Sequence, residues 1–188
     1  FYNCGAVQSL ILRDGLQSIG EKAFYNCKYI PSVELPYGLT TIGENAFYNT
    51  GITEIRIPET VTSIGSGAFN ACKNLAYVYY DGSSDGLDNA IAPCEPYDVF
   101  GGYTMYYFAE GKCGENVNYM FDYDNGRLEV YGYGDMDNYA SPYMSPFSFN
   151  PRLEEIEFSD GIRRVGSYAF SECESVTSVD LNSVHEIG

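Results

Sequence analysis

A repeat of 22 to 23 residues runs through the first 80 residues of the chain, and it returns near the C-terminus. One column of the repeat is phenylalanine, at Phe1, Phe24, Phe47, Phe69 and Phe170. A second column is an Ile-Gly or Val-Gly pair, at 19–20, 42–43, 64–65, 165–166 and 187–188. A unit of this size cannot bury an apolar face alone, but stacked units bury their faces against one another. The repeat therefore predicts a stack of similar coils.

An apolar pattern, L-x-x-L-x-L, lies between these two columns in six copies. The copies begin at Val7, Ile30, Ile52, Leu75, Leu153 and Val176. Alternation at the end of each copy predicts a short strand with one inward face. Stacking would place these strands side by side in a parallel sheet, with the phenylalanine and isoleucine columns filling the core behind it. The pattern thus predicts an α/β solenoid.

Proline and glycine mark where the predicted strands and turns end. Pro36 and Pro58 follow their strands directly, and the missing N–H of proline ends strand pairing. Glycines at 20, 43 and 65 are expected where the chain turns and a side chain would clash. The E-K-A-F and E-N-A-F segments that follow are expected to form a helical turn before each phenylalanine.

These residues carry a family resemblance. The segments LPYGLTTIGENAFYN (35–49) and IPETVTSIGSGAFNACKNL (57–75) resemble BspA-type leucine-rich repeats. The resemblance covers residues 1–80 and 147–188, and it departs from the pattern at Thr50, which replaces a cysteine, and in a third repeat that is one residue short. It implies a right-handed superhelix and a place on a bacterial (in some cases protist) cell surface or outside the cell. It also implies adhesion or ligand binding rather than catalysis.

The middle of the chain, residues 81–146, does not carry the repeat. The segment 117–134 alternates and breaks at Asp124-Asn125-Gly126, which predicts a β-hairpin. The wider stretch 111–143 resembles the segment that often opens a new array in this family. We therefore predict a first array with an exit cap over 1–109, in which 76–109 form the last coil and the exit cap. Residues 110–188 then hold an opening cap with the hairpin (110–150) and the start of a second array. Both chain ends interrupt a repeat, as expected for a fragment of a longer array.

The chain is strongly acidic, with 26 Asp and Glu against 10 Lys and Arg and a net charge of −16. Residues 81–150 alone carry a net charge of −10. Nucleic-acid binding depends on clustered cations, so this balance argues against a nucleic-acid partner. No apolar run is long enough to predict a transmembrane segment in this fragment. No cofactor motif is present.

Four of the six cysteines share one repeat position: Cys4, Cys27, Cys72 and Cys173. Free cysteine is among the most buried residue types, so this column predicts buried free thiols. Cys94 and Cys113 stand outside the repeat, one in each proposed cap. The sequence leaves open whether these two are free or form a disulfide.

Support for catalysis is weak, and we predict that the chain is not an enzyme. The single histidine, His185, lies in an expected solvated loop, whereas nucleophilic catalysis needs a base held against its nucleophile. Calcium binding is a weak candidate. Asp81, Asp85 and Asp88 space oxygen ligands along what reads as a flexible loop, although acidic loops are usually only solvated.

The candidate binding face follows from strand geometry, because residues between inward-facing positions point outward. The candidates are Glu34, Arg56, Tyr77, Tyr79, Glu155, Glu157 and Asp180. Tyr77 and Tyr79 are the strongest, since an exposed tyrosine offers a rigid amphipathic contact. The alternative for each residue is a plain solvated face.

The function expected from these observations is a non-catalytic segment that binds a protein or glycan at the cell surface. Two alternatives remain open from the sequence. One is a structural spacer that displays other domains. The other is an accessory module of a larger surface enzyme.

Overall fold

The computed structural model describes residues 1–92, 94–101 and 105–188. These form two compact units, residues 1–106 and 107–188. Pro93 and residues 102–104, which belong to the predicted exit cap, lie outside the described residues. Within the described part of the chain, no helix is long and apolar enough to cross a membrane.

The Ile-Gly positions of the first unit form a parallel sheet of their own. Its strands are β1 (Ser18–Ile19), β2 (Thr41–Ile42) and β4 (Ser63–Ile64), in that order. The isoleucine of each strand is buried, while the preceding Ser or Thr faces outward. The sequence marked this register but did not predict strands there.

The predicted L-x-L strands form in only two of the first four copies. They are β3 (Glu54–Ile57) and β5 (Tyr77–Tyr80), paired in parallel, and Pro58 follows β3 as expected. The strands expected at 9–12 and 32–35 are wrong, because no ladder includes these residues. Pro31 and Pro36 bracket the second of these segments, so it lacks N–H donors at both ends.

The phenylalanines lie in tight turns. The prediction of a helical turn before each phenylalanine is therefore wrong. Bonds within the turn alternate with bonds to the next coil: the Ala23 N–H donates to the Gly20 carbonyl, and the Phe24 N–H donates to the Ala46 carbonyl at 2.7 Å. Residues with a positive φ angle, such as Lys22 (54°), recur between residues with a negative φ angle. A helix needs one repeated conformation, so this alternation excludes it. Instead it joins each coil to its neighbour.

The phenylalanine column is a continuous stack of rings in the first unit. Successive ring centroids lie 5.2 to 5.6 Å apart with nearly parallel planes. The members are Phe1, Phe24, Phe47, Phe69 and Phe100. The stack is the core that the repeat predicted.

Two helices follow β5. Helix α1 (Ser84–Ile91) is capped by the Ser83 side chain, which accepts from the Gly86 N–H, and α2 is Pro96–Phe100. Their apolar residues, including Leu87 and Phe100, are buried. The Phe69 N–H donates to the Val99 carbonyl, so α2 takes the place of the next coil for the phenylalanine column. Strand β6 (Met105–Phe108) runs across the division between the units.

The second unit is built on a five-stranded sheet. Its strands, in spatial order, are β13 (Ser178–Asp180), β11 (Glu155–Phe158), β9 (Arg127–Gly132), β8 (Val117–Asp122) and β7 (Glu110–Gly114). Strands β7, β8 and β9 are antiparallel, whereas β9, β11 and β13 are parallel. The predicted hairpin is confirmed: β8 and β9 pair around 123–126, and the Asp122 side chain accepts from the N–H groups of Asp124 and Asn125.

A smaller parallel sheet completes the second unit. It contains β10 (Gly134–Asp135), β12 (Ile162–Val165) and β14 (Glu186–Ile187). A 3₁₀ helix spans Pro142–Met144. The apolar inward side chains of β7, β8, β9, β11 and β12 are buried, whereas Val179 of β13 and Ile187 of β14 are exposed. Phe147 is buried as well, and it stacks on Phe170 at 5.0 Å.

Candidate functional site

A row of outward side chains crosses all five strands of the second unit. Register pairs Glu110 with Met120, Met120 with Glu129, Glu129 with Glu157, and Glu157 with Asp180. Each of these side chains is exposed or half-buried. In the neighbouring inward row Phe121, Leu128 and Ile156 are buried, while Val179 on the edge strand β13 is 49% exposed. The hairpin therefore continues the solenoid sheet in register, because β9 pairs with β11 along four residues.

A second outward row lies beside the first. It contains Asp122, Arg127, Glu155 and Ser178. The Arg127 guanidinium pairs with the Glu157 carboxylate of the first row, and both side chains are about half exposed. An ion pair with this exposure contributes less than about 1 kcal/mol to stability. It holds Glu157 in one orientation on the sheet.

We call the outward side chains of β7, β8, β9, β11 and β13 the outer sheet face. It carries six carboxylates and two cationic side chains, so it is acidic. The carboxylates are those of Glu110, Asp122, Glu129, Glu155, Glu157 and Asp180. Three of the candidates from the sequence, Glu155, Glu157 and Asp180, are brought together here. Their binding role stays a prediction.

The corresponding face of the first unit is smaller and mostly closed. Arg56 and Tyr79 are register partners, and the Arg56 Nε lies 2.7 Å from an Asp81 carboxylate oxygen. Tyr77 is half-buried, and its ring lies 6.4 Å from that of Tyr79. The expected exposure of Tyr79 is wrong, since its side chain is 1% exposed. Strand β5 lies between β3 and β6 in its sheet, so a large ring on β5 has neighbouring strands on both sides.

Glu34 does not join this face. It is exposed, but it lies in a segment that forms no strand and has no register partner in a sheet. The sequence placed it in one column with Arg56 because the repeat positions match. The backbone ladder that would align the two begins only at Glu54.

The calcium hypothesis predicted a flexible acidic loop, and this prediction is wrong. Ser84–Ile91 is a helix, in which Asp85 lies in the first turn and Asp88 is exposed, while Asp81 pairs with Arg56. Within residues 1–92, 94–101 and 105–188, no three His, Cys, Asp or Glu side chains come together as a metal site. His185 is exposed, and its Nδ1 lies 3.1 Å from the Ser183 carbonyl oxygen.

The repeat cysteines form the predicted column of free thiols, but only Cys27 and Cys72 are buried as predicted, while Cys4 and Cys173 are half-buried. Each of three thiols donates to the carbonyl of the phenylalanine one coil before: Cys27 to Phe1, Cys72 to Phe47 and Cys173 to Phe147, at 3.1 to 3.2 Å. Thr50 fills the gap in the column, with its hydroxyl 3.1 Å from the Cys72 sulfur.

Burial suppresses ionisation of the thiols. It raises the pKa of Cys173 to about 11, and it raises the pKa of Cys113 to about 12, with a smaller contribution from Asp137. Cys94 and Cys113, between which a bridge was left open, are both free. Because thiolates are the reactive form, the Cys113 and Cys173 thiols are suited to packing rather than to chemistry.

Sequence reasoning missed part of the outer sheet face. Glu110, Met120, Arg127 and Glu129 were not candidates, because the hairpin was assigned to a cap. The alternation of 117–134 was the available signal. It would have indicated which hairpin side chains point outward, but not that β9 pairs with a repeat strand.

Stacked coils, short parallel strands and internal columns of identical side chains define a repeat protein of the leucine-rich class. The sequence matches the profile of the BspA type leucine rich repeat region in six copies, over residues 1–91 and 142–188. The chain therefore belongs to the BspA-type leucine-rich repeat family.

Solved structures of bacterial leucine-rich repeat proteins are similar to this chain. A leucine rich cell surface protein from Faecalibacterium prausnitzii A2-165 is 23% identical, with a TM-score of 0.41 over 93% of this chain and 41% of that one. A leucine-rich repeat protein from Bacteroides ovatus ATCC 8483 is 22% identical, with a TM-score of 0.45 over 100% and 58%. The chain thus spans about half the length of these two structures. No curated protein matches the sequence.

Proposed function

We propose that this chain is a non-catalytic protein-interaction module, displayed outside the cell or on its surface, that binds its partner through the outer sheet face. The observation that carries the proposal is the register of the five strands. It aligns outward side chains in two uninterrupted rows, while the apolar inward side chains of β7, β8, β9 and β11 are buried. Solenoid proteins commonly use such extended, regular faces for binding.

The proposal retains the organisation expected from the sequence. Residues 1–109 are the first array with its exit cap, and residues 110–188 are an opening cap and the start of a second array, wound as a right-handed superhelix. The opening cap contributes strands to the binding face. Cap and repeat would therefore act as one surface.

The partner is a protein rather than a glycan. Glycan sites usually present exposed aromatic rings. The described outward positions of β7, β8, β9, β11 and β13 instead carry charged, amide, hydroxyl and thioether side chains, with one half-buried tyrosine, Tyr131. Charged rows instead provide orientation and specificity for a protein surface.

A binding screen with matched variants tests this function. The purified 188-residue chain is screened against extracellular matrix proteins and a glycan array, with and without calcium. We expect a protein to bind, and binding to be lost when Glu155 and Asp180 are changed to Arg. The same change to Arg at Glu44 and Asp88, which are exposed outside the outer sheet face, should leave binding unchanged.

Other outcomes would contradict the proposal in distinct ways. A protein that still binds the face variant but not Tyr77→Ala would move the site to the first unit. A glycan that binds in place of any protein would contradict the partner class. Absence of binding at high concentration would favour a structural spacer.

A further inference from the structure

We propose that the outer sheet face binds an extended, cationic polypeptide segment that lies across the five strands, with an apolar side chain over Met120. This inference rests on the proposed function and specifies its partner. The argument uses the order of side chains along the row rather than the number of acids.

The order of the row is acidic, apolar, acidic, acidic, acidic, from Glu110 through Met120, Glu129 and Glu157 to Asp180. Adjacent strands lie about 4.8 Å apart, so the row is about 19 Å long. An extended peptide places side chains on one face about every 6.7 Å. Four alternate side chains of a seven-residue segment therefore span the row.

Matching these spacings gives the preferred sequence of the partner. A first cation lies near Glu110, an apolar side chain near Met120, and two further cations near Glu129–Glu157 and Asp180. Met120 is 52% exposed and lies between two carboxylates of the row. An exposed thioether suits such a contact, because methionine is flexible and polarizable and adapts to different apolar groups.

The charge distribution favours this face over others. Residues 81–150 carry a net charge of −10, and the second outward row adds Asp122 and Glu155 beside the first. The opposing charges of the face are Lys112 and Arg127, and the Arg127 guanidinium pairs with Glu157. The smaller face of the first unit has an ion pair and a buried tyrosine instead.

The test uses a synthetic heptapeptide that alternates with serine, Lys-Ser-Leu-Ser-Lys-Ser-Lys, with blocked ends. A rearranged peptide, Lys-Lys-Lys-Leu-Ser-Ser-Ser, has the same composition and charge. Calorimetric titration of the 188-residue chain at low and physiological salt measures both. We expect the alternating peptide to bind at least 10-fold more tightly than the rearranged one, and its affinity to fall with salt.

Two matched triple variants distinguish binding to this face from attraction to the overall negative charge of the chain. Changing Glu110 and Glu129 to Gln and Asp180 to Asn should weaken binding of the alternating peptide at least 10-fold. Changing Asp14 and Asp88 to Asn and Glu44 to Gln removes the same charge from other surfaces, and it should change the affinity less than twofold. Circular dichroism confirms that both variants are folded.

Met120→Ser supplies a readout that charge alone cannot mimic. It should weaken binding of the alternating peptide, whose third residue is Leu, several-fold, and it should leave unchanged the binding of a peptide with Ser in place of that Leu. Equal losses in the two triple variants, or equal binding of the two charged peptides, would overturn the inference. In another outcome, a protein from the screen binds the chain and loses this binding when Glu155 and Asp180 are changed to Arg, but no cationic peptide binds. The inference then fails and the proposed function stands.

Discussion

At the scale of single residues, the closest approach between coils occurs at the glycines of the Ile-Gly column. A Cβ built on Gly43 would lie 2.5 Å from the Glu21 backbone nitrogen and 2.7 Å from the Gly20 carbonyl carbon. Such contacts are shorter than van der Waals separation, and both neighbours are backbone atoms. Any side chain at Gly43 would therefore force the two coils apart.

The substitution Gly43→Ala is expected to lower the free energy of unfolding by about 1–3 kcal/mol, the usual cost of overpacking. Gly20→Ala is the matched control, because nothing lies within 4 Å of a Cβ at that position. Urea denaturation followed by circular dichroism measures both. Equal stability of the two variants would contradict the close stacking of the coils.

Cys113 provides a second test at this scale. Burial raises its pKa to about 12, against an ordinary value of 9.0. At pH 8.5 the thiolate fraction of Cys113 is therefore roughly 1,000-fold below that of an exposed cysteine. We expect Cys113 to be alkylated last among the cysteines of the native chain and readily in denaturant. Mass spectrometry of iodoacetamide-treated protein measures this order. Early native alkylation at Cys113 would contradict its burial.

The sign of the pH effect follows from the same pKa. A neutral thiol is favoured in the folded state, so its contribution to stability is complete below pH 9. That contribution is lost as the pH rises towards 12. Burial also raises the pKa values of Tyr119 and Tyr139, which adds to the loss in the same direction. The second unit should therefore be less stable in alkaline solution.

At the scale of elements, the phenylalanine stack and the turns that carry it join one coil to the next. Phe47 is fully buried, with Phe24 and Phe69 stacked on its two faces at 5.2 and 5.3 Å. Phe1 occupies the same repeat position but is 75% exposed, and only one neighbouring ring stacks on it. Chemically identical residues thus differ in the apolar area that they bury.

We expect Phe47→Ala to cost about 3–5 kcal/mol of unfolding free energy, because it leaves a cavity in a packed column. Phe1→Ala should cost less than about 1 kcal/mol, since little buried area is lost. Thermal and urea denaturation of the two variants provide the comparison. Similar losses would show that the stack is not the main core of the first unit.

The repeat predicted the core columns of these elements but not all of their backbone. Spacing alone located the stacked phenylalanines and the buried cysteines, because side chains one repeat apart must coincide in a solenoid. It did not predict the tight turns at 20–27, where alternating φ angles such as that of Lys22 replace a helix. It also predicted strands at 9–12 and 32–35, because apolar alternation cannot reveal whether the backbones approach closely enough to pair.

The candidate site was predictable only where it follows the repeat. Glu155, Glu157 and Asp180 were found because they lie between inward strand positions. The prediction that Tyr79 is exposed was wrong, because the sequence indicates the direction of a side chain but not what covers it. Glu129 and Met120 were missed because pairing between the hairpin and a repeat strand is a long-range contact, and no local pattern encodes it.

At the scale of the whole molecule, the proposed binding role rests on the asymmetric charge and the outer sheet face. The apolar columns are used in packing the coils, whereas the outward rows of the second unit make no contribution to the core. Their ordered charges therefore remain available for recognition, which agrees with the acidic composition of residues 81–150.

The methyl signals of Met120 and Met144, which are exposed among the described residues, test this account most directly. Met120 lies on the outer sheet face and is 52% exposed, while Met144 lies on the 3₁₀ helix and is 64% exposed. The chain is labelled with ¹³C at the methionine methyl groups and titrated with the alternating heptapeptide. We predict that the Met120 signal shifts with saturation and that the Met144 signal does not move. Saturable binding that shifts Met144 and leaves Met120 unchanged would contradict the assignment of the face.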